Sequence, residues 1–125
     1  MKNLNQIKHE LNGFYGTNQF YHGMFKKSVY TDGVQHLLKE AQCYWLYQVI
    51  ETEILSYFLQ RNPLYDTYTF KIESKETKAV LTLSDYQGEI LWTKPISFTT
   101  FPDGELSLVV GWDGQRIITS LIQEN

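Results

Sequence analysis

The spacing of apolar residues divides the chain into a first half with helical periodicity and a second half that alternates. Leu4, Ile7 and Leu11 recur at helical spacing and predict a first helix over about 3–12, with Gly13 ending it. A second helix is predicted after Thr31 or Asp32, either of which can cap it, and its buried side consists of Val34, Leu37, Leu38 and Ala41.

A third helical segment is predicted over 44–59, where large apolar residues form one broad face. Glu51 and Glu53 interrupt this run, and we expect both carboxylates to lie in solvent. Asn62 precedes Pro63, and a residue before proline disfavours the α conformation. The helical half is therefore expected to end at about residue 63.

After Pro63 the period changes to two, which predicts β-strands. The apolar positions that alternate with polar ones are Tyr68, Phe70, Ile72, Leu81, Leu83, Leu106, Leu108 and Val110. Short turns rich in Gly and Asp separate these runs, so successive strands should pair antiparallel. Pro95 lies inside the strand predicted over 89–99 and indicates an edge position or a bulge.

These patterns predict an α+β fold: a two-layer sandwich with N-terminal helices packed on a C-terminal antiparallel meander of four to five strands. The helical half covers about 1–63 and the sheet about 66–122. A chain of 125 residues can bury enough surface for one core, so a single domain over 1–125 is expected.

Net charge limits the classes of partner. The formal charge is −3 and the sequence pI is about 5.5, so no overall positive field exists to attract nucleic acid. Residues 1–50 contain five lysines and three acidic residues, whereas 51–125 contain six basic and eleven acidic residues. We expect no direct general nucleic-acid binding. The chain lacks an apolar run long enough to span a membrane, and the single Cys43 fits a cytoplasmic protein.

Motifs for phosphate loops, dinucleotide binding, zinc helices or hydrolase nucleophiles are absent from the sequence, so we expect neither an enzyme nor a cofactor. His36 lies one helical turn from both Asp32 and Glu40, but this face alone supplies too few ligands for a metal, and none is expected. Cys43 has apolar or uncharged neighbours and is interpreted as a buried small hydrophobe.

The segment over 14–30 combines aromatic and basic side chains and is the best candidate for a binding surface. Phe14, Phe20 and Phe25 are expected to anchor it to the core. The residues interpreted as partner-binding are Tyr15, Tyr21, His22, Lys26, Lys27 and Tyr30. Three acidic residues at predicted turns, Asp103, Glu105 and Asp113, can present negative charge to a basic partner.

Several short motifs resemble a small uncharacterised family of unknown function, DUF6876. They are Phe14-Tyr15-Gly16-Thr17, Tyr30-Thr31-Asp32-Gly33-Val34, Cys43-Tyr44-Trp45-Leu46, Phe98 and Phe101-Pro102. The family pattern places a glycine before the Cys-Tyr-Trp triplet, where this chain has Gln42. The second helix either breaks at that point or continues toward Tyr57. The resemblance implies a bacterial, phage or mobile-element setting.

Our leading hypothesis is a non-enzymatic binding protein that inhibits a host protein, such as a nucleic-acid-handling defence complex of the CRISPR type. The alternative is a small-molecule-binding protein or minor enzyme with a cleft between sheet and helices, using His36 or His22 with a nearby carboxylate. A homodimer is compatible with both hypotheses.

Overall fold

The computed structural model of this chain describes residues 2–16, 19–24, 27–63 and 66–124. Three residues named above lie outside these ranges: Thr17 of the family pattern, the expected anchor Phe25 and the expected partner-binding Lys26.

The first two helices begin close to the predicted positions, and each is capped by a side chain. Helix α1 spans Leu4–Leu11, and the Asn3 side chain accepts a hydrogen bond from the backbone N–H of Gln6. Helix α2 spans Asp32–Glu40, and its cap is Thr31, whose hydroxyl accepts from the N–H of Val34. Both caps satisfy N–H groups that the first helical turn leaves unpaired.

Helix α2 breaks at the position where the family pattern has glycine. Gln42 has a φ of 52°, in the left-handed region that favours glycine. A new helical segment starts two residues later and continues through α3 (Tyr44–Val49), a π-helical turn (Ile50–Ile54) and α4 (Leu55–Arg61). It ends as predicted at Asn62, which adopts a left-handed conformation.

Among the described residues, seven strands form one sheet in the order β1-β2-β7-β6-β3-β4-β5, and the fold is α+β. The strands are β1 (Phe20–His22), β2 (Ser28–Thr31), β3 (Asp66–Lys75), β4 (Lys78–Ser84), β5 (Ile90–Ile96), β6 (Gly104–Trp112) and β7 (Ile117–Ser120). All neighbours pair antiparallel except β2 and β7, which are parallel. A short 3₁₀ helix, Ile122–Glu124, follows.

The predicted meander is wrong in two respects. Strands β1 and β2 come from the half predicted to be helical, and β6 pairs with β3 instead of its sequence neighbour β5. Strands of three and four residues are too short to show a clear alternation, and the pairing of β2 with β7 joins distant parts of the chain. Pro95 lies on β5 at the edge of the sheet, as predicted.

The core lies against one side of the long central strands. Tyr68, Phe70 and Ile72 of β3 are buried, whereas the alternate residues between them are more exposed. Phe58 of α4 is fully buried, with its ring centroid 4.9 Å from that of Tyr68 and 5.1 Å from that of Trp112. These ring contacts join α4 to β3 and β6. Within the described residues, no helix is long and apolar enough to cross a membrane.

Candidate functional site

Within the aromatic segment, three large apolar side chains of the described residues are exposed, and they span ten positions of the chain. Tyr15 is 76% exposed, Phe20 52% and Met24 81%. The expectation that Phe20 anchors the core is therefore wrong, whereas Phe14 is half-buried and its ring lies 5.3 Å from that of His36. Strand alternation explains the exposure of Phe20, because Phe20 and His22 lie on the side of β1 opposite to Tyr21.

Tyr21 holds β1 onto the protein from its inner side. Its ring stacks on Tyr30, with centroids 5.5 Å apart, and Tyr30 in turn contacts the ring of Tyr47 at 4.3 Å. Tyr30 is only 8% exposed and Tyr21 is half-buried. Burial raises the pKa of Tyr30, so this hydroxyl stays neutral. Tyr30, one of the predicted partner-binding residues, is therefore buried, and its ring supports Tyr21 on β1.

A buried polar cluster lies beneath the same two strands. The hydroxyls of Ser28 on β2 and Tyr47 on α3 share a short hydrogen bond, and both side chains are buried. Burial raises the pKa of Tyr47, although the bond from Ser28 opposes this shift. Glu51 is close enough to raise the pKa of both tyrosines further.

Glu51 is only 3% exposed, so the expectation that it is solvated is wrong. It lies in the π-helical turn, where the extra residue changes which side chains face inward. A β-carbon added to Gly23 would lie 1.8 Å from Oε2 of Glu51. Gly23 therefore lets the segment after β1 pass directly over the carboxylate, a contact that any larger residue obstructs.

The other predicted residues of this segment are exposed. His22 is exposed on β1, and Lys27 is exposed just before β2. The backbone carbonyl of Lys27 accepts a hydrogen bond of 2.8 Å from the N–H of Ile117, which fixes the start of β2 against β7. The side chains of Tyr15, Phe20, His22, Met24 and Lys27 are hereafter called the aromatic surface.

The three predicted acidic residues lie at two different ends of the sheet. Asp103 and Glu105 flank the first residue of β6, whereas Asp113 follows its last residue. Nine residues of extended strand separate them by roughly 30 Å. Asp103 accepts a hydrogen bond from the N–H of Glu76, and Asp113 accepts from two backbone N–H groups and from Arg116. Partial burial acts to raise the pKa of Asp113, but the hydrogen bonds from Gln115 and Arg116 outweigh it and the pKa is lowered.

His36 has a different set of neighbours from the one predicted. Its Nε2 lies 2.7 Å from Oε1 of Glu10 on α1, and Glu40 lies nearby on its own helix. Lys2 binds both carboxylates, at 2.6 Å from Glu10 and 3.5 Å from Glu40. Asp32 instead accepts a hydrogen bond from the N–H of Gln19. The sequence could not indicate Glu10, because the contact joins residues 26 positions apart.

Cys43 is fully buried, as predicted, and burial raises the pKa of its thiol to about 12. A thiol with so high a pKa supplies almost no thiolate near neutral pH and is a poor nucleophile.

Among the described residues, one surface cleft of about 320 Å³ borders the half of β6 that β7 leaves unpaired, and Leu11, Glu105 and Gln123 lie on its walls. A second, of about 580 Å³, lies on the polar side of the sheet over Thr69, Lys71 and Glu73. Neither cleft contains His22 or His36, the residues of the small-molecule hypothesis.

Comparison with known proteins assigns the chain to a family and supports its fold, and the proteins it matches are of unknown function. A crystal structure of a protein of unknown function from Enterococcus faecalis is similar, with a TM-score of 0.50 and 18% identity over 82% of this chain and 98% of that one. At this identity the similarity shows the fold alone. Among curated proteins, none matches the sequence. The sequence profile of a family of unknown function, DUF6876, matches residues 5–124, and the chain belongs to that family.

Proposed function

We propose that this protein is a non-enzymatic protein-binding module and that the aromatic surface contacts its partner. The observation that carries the proposal is the exposure of Tyr15, Phe20 and Met24 within ten residues of chain. Aromatic and methionine side chains are enriched in protein interfaces, where a few such residues account for most of the binding energy. His22 and Lys27, which are exposed in the same segment, add polar and basic groups.

The backbone beneath the aromatic surface is held in place before a partner arrives. Tyr21 stacks on Tyr30, and Gly23 rests on the Glu51 carboxylate. An interface held in its bound conformation loses less conformational entropy on association, so its contacts contribute more to affinity. The half-buried Tyr21 and the buried Tyr30 thus act by positioning Phe20 and His22.

The proposed partner is a larger host protein, and the proposed class is a nucleic-acid-handling defence complex such as a CRISPR effector. Two features support this choice: the phage and mobile-element setting that the family resemblance implies, and the acidic pair Asp103 and Glu105. Such complexes hold nucleic acid in basic channels, to which an acidic pair is complementary. Asp113 lies too far away to join the same contact as this pair.

The proposal includes a two-layer arrangement with helices on one side of the sheet, which the contacts of Phe58 with Tyr68 and Trp112 support. It also places the protein in the bacterial cytoplasm, where defence complexes act. The aromatic surface lies at the β1 end of the sheet, since β1 is an edge strand.

The test is retention of a partner by two matched triple variants. Tagged wild-type protein is incubated with a bacterial lysate containing defence complexes, and the retained protein is identified by mass spectrometry and purified. The first variant replaces Tyr15, Phe20 and Met24 with alanine. The control replaces Tyr86, Ile90 and Phe98, which are 73%, 64% and 69% exposed at the far edge of the sheet.

We expect the first variant to lose affinity for the purified partner by about 30-fold or more, since even one hot-spot residue among the three contributes about 2 kcal/mol or more. The control variant should bind as the wild type does. Equal affinity of all three proteins would contradict the site, and a wild-type preparation that retains no stoichiometric partner would contradict the function. Solution mass shows whether the retained partner is a second copy of the chain.

A further inference from the structure

The cluster of Glu10, His36 and Glu40 has the composition and spacing of a metal site. Each residue offers one ligand atom, and these atoms lie within 4.8 Å of one another. His36 and Glu40 are four residues apart on α2 and therefore share a face, while Glu10 approaches from α1. All three side chains are partly buried, so the ligand atoms are held between two helices and still accessible.

The sequence alone supplies only two of these ligands on one helix. The third comes from the packing of α1 on α2, which brings Glu10 Oε1 to 2.7 Å from His36 Nε2. The ring of Phe14 contacts the imidazole at 5.3 Å and restricts its orientation. The ring contact limits rotation of the imidazole, so its Nε2 stays directed at the carboxylate of Glu10.

The cluster already attracts a cation of its own. Lys2 Nζ lies 2.6 Å from a Glu10 oxygen and 3.5 Å from a Glu40 oxygen. This pairing raises the pKa of Lys2 and lowers that of Glu10. Lys2 precedes the α1 cap Asn3, so its side chain can leave without disturbing the helix. One ammonium only half neutralises two carboxylates, whereas a divalent ion neutralises them fully.

We propose that Glu10, His36 and Glu40 form a Zn²⁺ site in which the metal displaces the Lys2 ammonium. One imidazole and two carboxylates are ligands that zinc accepts at about 2.0–2.2 Å, with a fourth position left for water. Zinc also binds such mixed nitrogen and oxygen sites more tightly than Mn²⁺ or Fe²⁺ does. The ion would join α1 to α2 through side chains that do not belong to the aromatic surface, so the two sites can be tested with separate variants.

The experiment is calorimetric titration of the full chain with zinc chloride, paired with the visible absorption of bound Co²⁺. We expect one ion per chain and the intense absorption of a tetrahedral cobalt site. His36→Gln and Glu10→Gln should each remove the saturable binding. Lys2→Met should strengthen it several-fold, because the competing ammonium is gone.

His9→Gln is the matched control, since His9 is exposed on α1 and belongs to no such cluster among the described residues. It should bind zinc as the wild type does. The proposal is overturned if the wild type binds no stoichiometric zinc, if His36→Gln binds it unchanged, or if Lys2→Met binds it more weakly. Circular dichroism of each variant confirms that the helices remain, and His36→Gln is informative even where Glu10→Gln fails to fold.

Discussion

The hydrogen bond between Ser28 and Tyr47 allows a quantitative test of how β2 is attached to the helices. Ser28 is 0% exposed and Tyr47 4% exposed, so water cannot replace a lost partner at either hydroxyl. Tyr47→Phe leaves the Ser28 hydroxyl without this bond, and Ser28→Ala leaves the Tyr47 hydroxyl without it. Each single change should cost about 1–3 kcal/mol of unfolding free energy.

The double variant should lose much less unfolding free energy than the two single variants lose in total. Removing both hydroxyls leaves no polar group to bury unpaired, and paired apolar replacements can be nearly neutral. We therefore expect a coupling energy of about 1–2 kcal/mol, in the range measured for residues in direct contact.

The assay is urea unfolding followed by the fluorescence of the three tryptophans. Free energies come from linear extrapolation, with an unchanged slope as the check that the folded state is preserved. Tyr57→Phe is the control, since Tyr57 is half-buried and its ring lies 4.1 Å from the Arg61 guanidinium. This substitution should change the unfolding free energy by less than about 0.5 kcal/mol. Additive effects of Ser28→Ala and Tyr47→Phe would refute the reasoning.

Two further changes test the backbone around the candidate site. Gly23→Ala places a methyl group 1.8 Å from a Glu51 oxygen, so it should lower stability by about 1–3 kcal/mol in thermal unfolding, whereas Gly16→Ala meets no atom within 4 Å and should be neutral. Gln42→Gly removes left-handed strain at a φ of 52° and should raise stability by up to about 1 kcal/mol, while Gln60→Gly inside α4 should lower it by a similar amount. Destabilisation by Gln42→Gly, or equal behaviour of both Gly→Ala variants, would contradict these assignments.

The candidate site was only partly predictable. Sequence indicated the aromatic segment, and the structure exposes Tyr15, His22 and Lys27 within it. Phe20 was assigned to the core because apolar residues usually lie there, and without knowledge of β1 its outward side could not be identified. Glu51 was assigned to solvent from an α-helical pattern, and the π-helical turn shifts the inward face by one residue, which buries it.

The sequence by itself determined the features that depend on neighbouring residues. These are the caps Asn3 and Thr31, the stop at Asn62 and the alternating burial along β3, each set by contacts within a few residues. Pro95 likewise requires an edge position, because proline lacks the N–H that an inner strand donates.

Only the tertiary structure decided which distant parts of the chain meet. The pairing of β2 with β7, the bond of Ser28 with Tyr47 across 19 residues and the contact of Glu10 with His36 across 26 are of this kind. The sequence around each of these residues does not depend on which distant segment it meets. The choice is made by the free energy of burying the whole core at once, which no short stretch of sequence contains.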